Sequence, residues 1–126
     1  MQKVRDSGGF GEAAAYSRAV RYGEHVAVSA TAPMEGGVVL HPGDAYAQTQ
    51  VAIRRALAAA EELGARREGV VRTRLLLAPE CEWREAVRAH AEAFAGIDPA
   101  NTSYFVGRLI PDGALVEVEL DAIVDG

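Results

Sequence analysis

Glu117, Glu119 and Asp121 stand at alternate positions near the end of the chain. Alternation puts all three carboxylates on one face of a strand. A carboxylate on a rigid strand can orient a water and take its proton, so the row offers candidate bases. The same row also reads as a solvated strand face, the commoner fate of acidic side chains. Glu119 has a further outlet, an ion pair with Arg72 or Arg74 across the sheet. Asn101 follows Pro99-Ala100 and can either donate its amide to a ligand or cap a turn. Tyr16 can line a cleft or pack at a subunit contact, since aromatic side chains suit both. The remaining reactive residues read as structural. His90 shares a helix side with Trp83 and Phe94, the setting of a core or interface histidine. Cys81, near a helix start, has no second cysteine and no evident base, and reads as an inert small residue. Arg54-Arg55 and Arg66-Arg67 read as charged surface pairs.

These residues need elements to position them. A short strand at Lys3 to Arg5 precedes the glycine-rich loop Ser7-Gly8-Gly9-Phe10-Gly11. Tyr16 to Tyr22 and His25 to Ala32 alternate, and Gly23-Glu24 turns them into a hairpin. A second loop, Gly36 to Gly43, holds a brief extended piece at Val38 to Leu40. Asp44 is placed to cap a helix that runs to about Leu63, with Gly64 behind it. Thr49, Ile53, Ala56, Ala60 and Leu63 form a narrow face of mostly small residues, which predicts close approach to a sheet. Val70 to Leu77 reads as a central strand. A second helix from Cys81 to Ala95 would place Trp83, Val87, His90, Ala91 and Phe94 on its inner side. Thr102 to Leu109 and Leu115 to Val124 complete the strands about the turn Asp112-Gly113. That order predicts an α+β two-layer sandwich, a mixed sheet with two helices on one face. Its other face is left uncovered in a monomer, so an oligomer is expected.

The 126 residues suffice for one domain, 1–126, with one core. A net charge of −5 argues against nucleic acid as a partner. No apolar run approaches the roughly 20 residues of a membrane span. The beginning of the chain lacks the apolar core of a signal peptide, and a lone cysteine suits a reducing compartment. A cytoplasmic protein is expected. His25, His41 and His90 lack ligand spacing, and no phosphate loop is evident, so neither metal nor cofactor is expected.

Several segments together resemble one family. Tyr16-Ser17-Arg18-Ala19-Val20 is similar to its Tyr-Ser-Gln-Ala-Val strand, and Val26-Ala27-Val28-Ser29-Ala30 to the strand that follows. Ala47-Gln48-Thr49, Gly69 to Thr73 and the stretch from Pro99 to Glu119 extend the likeness over nearly the whole chain. The family is RidA (YjgF-type, reactive-intermediate deaminase, formerly endoribonuclease L-PSP). The resemblance implies a chorismate-mutase-like fold and a homotrimer with small-molecule clefts between subunits. It implies hydrolysis of enamine or imine intermediates to carbonyl compounds and ammonia. Residue by residue, it makes Glu117 the group that positions or activates water. Tyr16, Ser29, Ala30, Asn101 and Ser103 become lining residues. Asn101 stands where the family's arginine holds a substrate carboxylate, and Ala30 stands where a glycine is usual. Loss of a charged partner for a desolvated carboxylate costs about 2–5 kcal/mol. The expectation is therefore an imine or enamine substrate other than a simple 2-imino acid, with a catalytically silent ligand-binding member as the alternative. Arg18, where glutamine is frequent, is a candidate substitute cation. A ribonuclease is a third reading, which the acidic composition disfavours.

Overall fold

The computed structural model describes residues 1–6 and 9–125. In chain order the elements are β1 (Gln2–Val4), α1 (Phe10–Ala14), β2 (Ala19–Tyr22), β3 (His25–Thr31), β4 (Met34–Glu35), β5 (Val38–Val39), α2 (Ala45–Glu62), β6 (Val70–Leu77), α3 (Trp83–Phe94), β7 (Ala100–Phe105) and β8 (Val116–Ile123). Six strands form one mixed sheet in the order β1-β2-β3-β8-β6-β7. Only β6 and β7, joined through α3, are parallel, and β4 pairs with β5 in a separate small ribbon.

Asp44 caps α2 as expected, its Oδ1 accepting from the Ala47 amide at 3.0 Å. Such a cap is worth about 1 kcal/mol. At the far end Gly64 takes φ 92°, a conformation that suits glycine, and Arg21 Nη1 donates to the Leu63 carbonyl at 2.8 Å. The buried face of α2 is wider than the narrow stripe expected. Val51, Ala52 and Ala59 join Ile53, Ala56 and Ala60. These alanines let the helix lie close to Val26 and Val28 of β3 and to Val116, Val118 and Leu120 of β8. Clean alternation along β8 sends those apolar residues to the helix layer and leaves Glu117, Glu119 and Asp121 half-buried on the opposite face. Glu119 pairs there with Arg74 at 3.2 Å, one of the two partners expected, and Asp121 lies 3.6 Å from His25.

Four local expectations are corrected. Phe10 and Gly11, read as loop, begin the single-turn α1, while Ser7 and Gly8 lie outside the described residues. The turn survives its glycines because Gly9 takes φ 78° and Asp6 accepts from the Gly11 amide. β2 starts at Ala19 rather than Tyr16, because the chain leaves α1 through Ala15 at φ 60° and only then extends. On α3 the buried residues are Ala86, Ala89 and Phe94, with His90 half-buried. Trp83, Val87 and Ala91 are exposed. Tight packing of α3 on α2 selects the small Ala86 and Ala89 at the contact and leaves Trp83 and Val87 on the flank, while Phe94 enters the core at the helix end. β7 spans Ala100–Phe105 instead of Thr102 to Leu109, and as an edge strand all its residues are exposed.

Candidate functional site

A cleft of 560 Å³ opens where the segment before β2, the end of β3, α2 and β8 converge. Four of the expected site residues line it: Tyr16, Ser29, Ala30 and Glu117. Glu117 comes from the face of β8 turned away from the helices. Burial pushes its carboxyl above the usual carboxylate range, Arg18 pulls it back, and Glu119 adds to the rise. A carboxyl raised in this way is better matched to taking and returning a proton near neutral pH than an exposed one.

The wall around Glu117 depends on an irregularity in the sheet. The register of β3 against β8 shifts between Val28 and Thr31, which bulges Ser29 and Ala30 out of the regular ladder. The Ser29 hydroxyl donates to the Ser17 carbonyl at 2.7 Å, tying the bulge to the segment that carries Tyr16. The Ala30 carbonyl accepts from Arg18 Nη2. Tyr16 packs edge-on against Phe10, ring centroids 6.0 Å apart, and Arg18 lies 5.7 Å from the Tyr16 ring centre. Phe10 and Ile110 give the rim an exposed apolar edge.

Arg18 faces the cleft, and Arg55 joins it from α2. Arg18 Nη1 lies 3.6 Å from Asp6, and its buried Nε has no hydrogen-bond partner among the described residues. Arg55 donates to the Ala32 carbonyl. Burial first, and then the charge of Arg18, makes the Arg55 guanidinium a weaker base than usual. Arg55 reads in the chain as half of a surface pair. The signal that marks it is position: it shares a helical stripe with the buried Val51, Ala52 and Ala59. Asp6 and Phe10 carry no comparable mark in the sequence.

Asn101 and Ser103 do not line this cleft. They lie on β7, beyond β6. Asn101 is neither a turn cap nor an unengaged donor. Its Nδ2 donates to Thr73 Oγ1 at 3.0 Å, and its Oδ1 accepts from Ser103 Oγ at 2.9 Å. Thr73 Oγ1 also lies 2.7 Å from His90 Nε2. With Asn101 donating to Thr73, the threonine hydroxyl is free to donate to His90, which fits a neutral imidazole. Burial also lowers the His90 pKa. Its structural reading therefore holds. Cys81 is buried, and its thiol is pushed up to about 11, first by burial and then by Glu82 and Glu80. Among the described residues no three His, Cys, Asp or Glu side chains cluster to hold a metal ion, and no helix is long and apolar enough to cross a membrane.

Comparisons with known proteins add to this geometry. The model of a family described as Endoribonuclease L-PSP matches residues 9–124. The uncharacterized protein SCO2049 of Streptomyces coelicolor is 34% identical over 122 residues, covering 97% of this chain and 91% of that one. The crystal structure of Mycobacterium tuberculosis Rv2704, described as a member of the YjgF/YER057c/UK114 family, is 39% identical. It covers 98% of both chains with a TM-score of 0.84. E. coli TdcF, solved with bound serine, shares the fold at a TM-score of 0.77 and 18% identity, covering 87% of this chain and 88% of that one.

Proposed function

We propose, from the premise that this chain belongs to the endoribonuclease L-PSP (YjgF/YER057c/UK114) family, that it binds a small metabolite beside Glu117 and hydrolyses an imine or enamine. The observation that carries the reading is Glu117, a half-buried carboxyl of raised pKa lining a cleft with an aromatic wall and two guanidiniums. Water attacks the imine carbon and gives its proton to Glu117, while the C=N electron pair moves onto nitrogen. Glu117 passes that proton to the nitrogen, giving a carbinolamine, whose hydroxyl then gives its own proton to Glu117 as the C=O bond forms and the C–N bond breaks. Glu117 returns to the carboxylate by giving its proton to the departing nitrogen. The balance is one imine plus one water to one carbonyl compound plus one ammonia. An enamine enters after protonation at carbon.

The active form in this reading is a homotrimer. β7 is exposed along its whole length, with Tyr104 and Phe105 uncovered, and Asn101 and Ser103 can reach a Glu117 cleft only from a neighbouring copy. TdcF holds serine, and an amino-acid-sized ligand with its water suits a cleft of 560 Å³.

A ligand-binding role without catalysis is the second reading. It is favoured by the internal use of Ser29, Ala30 and Asn101, whose polar groups already have partners in the chain. A ribonuclease finds no support in an acidic chain whose candidate face carries Glu117, Glu119 and Asp121. The deciding experiment follows the decay of freshly generated 2-iminobutanoate with buffer, the natural protein, Glu117→Gln and Asn101→Arg. A natural rate near that of buffer, raised by Asn101→Arg, is the expected result for a cleft tuned away from simple 2-imino acids. A natural rate already fast and abolished by Glu117→Gln would show that another group grips the carboxylate. Decay at the buffer rate with every variant would leave the binding role alone. Light scattering at micromolar concentration should give the mass of three chains, and a monomer mass overturns the assembly.

A further inference from the structure

We propose that Arg55, with Arg18 beside it, is the carboxylate grip of the Glu117 cleft, so that the ligand is a small organic anion. The proposal rests on the reading of that cleft as the ligand site and names what the site holds. Arg18 and Arg55 line the cleft from two segments distant in sequence, the approach to β2 and the middle of α2. Bringing two guanidiniums together in a half-buried place costs Coulomb energy, since arginine does not escape by losing its proton. Asp6 lies 3.6 Å from Arg18, and Asp6 and Glu35 offset part of the charge on Arg55, which makes no direct ion pair among the described residues. Of its five N–H donors, Arg55 spends one on the Ala32 carbonyl. What it still offers is a planar fork that fits a carboxylate.

The surroundings give the cleft a direction. A second hollow shares Arg18 and Arg55 as its wall and adds Lys3 and Arg5 against the single carboxylate of Glu62. Four cations therefore meet in a chain of net charge −5. The cleft also carries Glu117, which feels the charge of Arg18, and Glu35, which feels that of Arg55. A ligand there meets guanidiniums and carboxyl groups side by side. This suits a molecule that carries a carboxylate together with a protonatable nitrogen. Asn101 loses its expected duty on this account, because the grip has moved from β7 to α2.

Calorimetric titration with 2-oxobutanoate, beside the uncharged 2-butanone, tests the proposal without requiring turnover. Arg55→Gln should weaken 2-oxobutanoate at least about tenfold and leave 2-butanone unchanged. Arg55→Lys, which restores the charge but not the fork, should recover only part of the loss. Thermal melting of each variant reports folding. Three results overturn the proposal: no 2-oxobutanoate binding by the natural protein at millimolar concentration, equal binding by Arg55→Gln, or a parallel loss of both ligands with a lowered melting temperature. The last would make Arg55 a clamp on the Ala32 carbonyl. Arg55-dependent binding without imine hydrolysis would keep this proposal and sink the hydrolytic one. Hydrolysis of 2-iminobutanoate whose KM is indifferent to Arg55→Gln would do the reverse.

Discussion

Replacing Gln48 by leucine should destabilise the protein by about 2–4 kcal/mol. Gln48 lies in the first turns of α2 with no solvent exposure, and both ends of its amide are engaged. Nε2 donates to the His41 carbonyl at 3.2 Å and the Gly113 carbonyl at 3.1 Å. Oε1 accepts from the Leu115 amide at 2.8 Å. One side chain thus ties the entry to α2 to the turn that leads into β8. Leucine keeps the approximate volume and makes none of these bonds. At about 0.5–1.5 kcal/mol net apiece, three bonds are worth about 1.5–4.5 kcal/mol. The buried Leu115 amide left without a partner adds about 1–3 kcal/mol, and the leucine's own burial returns about 1.5–3 kcal/mol. Urea unfolding read by circular dichroism gives the difference from midpoint and slope. A fall in melting temperature of about 6–20 °C should accompany it. A loss below about 1 kcal/mol at unchanged slope would refute the reasoning, because the orphaned groups would then have found water or new partners.

Two further outcomes follow from the shifted titrations. The Glu117 carboxyl, raised above 4.5 by burial, holds its proton more readily folded than unfolded. Its ionisation therefore costs stability as pH rises through the folded value, and Glu117→Gln should gain on the natural protein from about pH 4.5 upward. A difference that stays flat in melts between about pH 4 and 8 counts against that burial. Cys81, with its thiol near 11, presents about a thousandth of its molecules as thiolate at pH 8. Ellman's reagent should label it at least about 100-fold more slowly in the native protein than in guanidinium, and rates within tenfold would contradict its buried placement.

What could be read from the chain was what short-range periodicity records. Gly23 turns the β2–β3 hairpin at φ 61°, Asp44 caps α2, and β8 alternates from Val116 to Ala122, because each depends on neighbours a few residues away. The inner face of α3 is right at Phe94 and wrong toward its start, because apolar size draws the stripe through Trp83 and Val87. The contact with α2 instead wanted Ala86 and Ala89. The site was half legible. The resemblance picked out Tyr16, Ser29, Ala30 and Glu117, which do converge. Asp6 and Phe10 belong to the same cleft with no local pattern to mark them, and Arg55 is marked only by the buried stripe it shares on α2. Asn101 matched a position in the family but not the chemistry, and its amide went to Thr73.

The strand that carries Glu117 is the last in chain order, yet it lies in the middle of the sheet, between β3 and β6. Those two strands make no ladder with each other, so within the sheet β8 joins the hairpin strands to β6 and β7. A ribosome making this chain from its first residue releases both sets of strands before the one that joins them. Until β8 arrives, the inner edges of β3 and β6 remain unpaired. Assembly must wait on contacts far apart in sequence, the kind that close slowly. The cleft comes into being in that same closing step, when Glu117 arrives opposite residues made some ninety positions earlier.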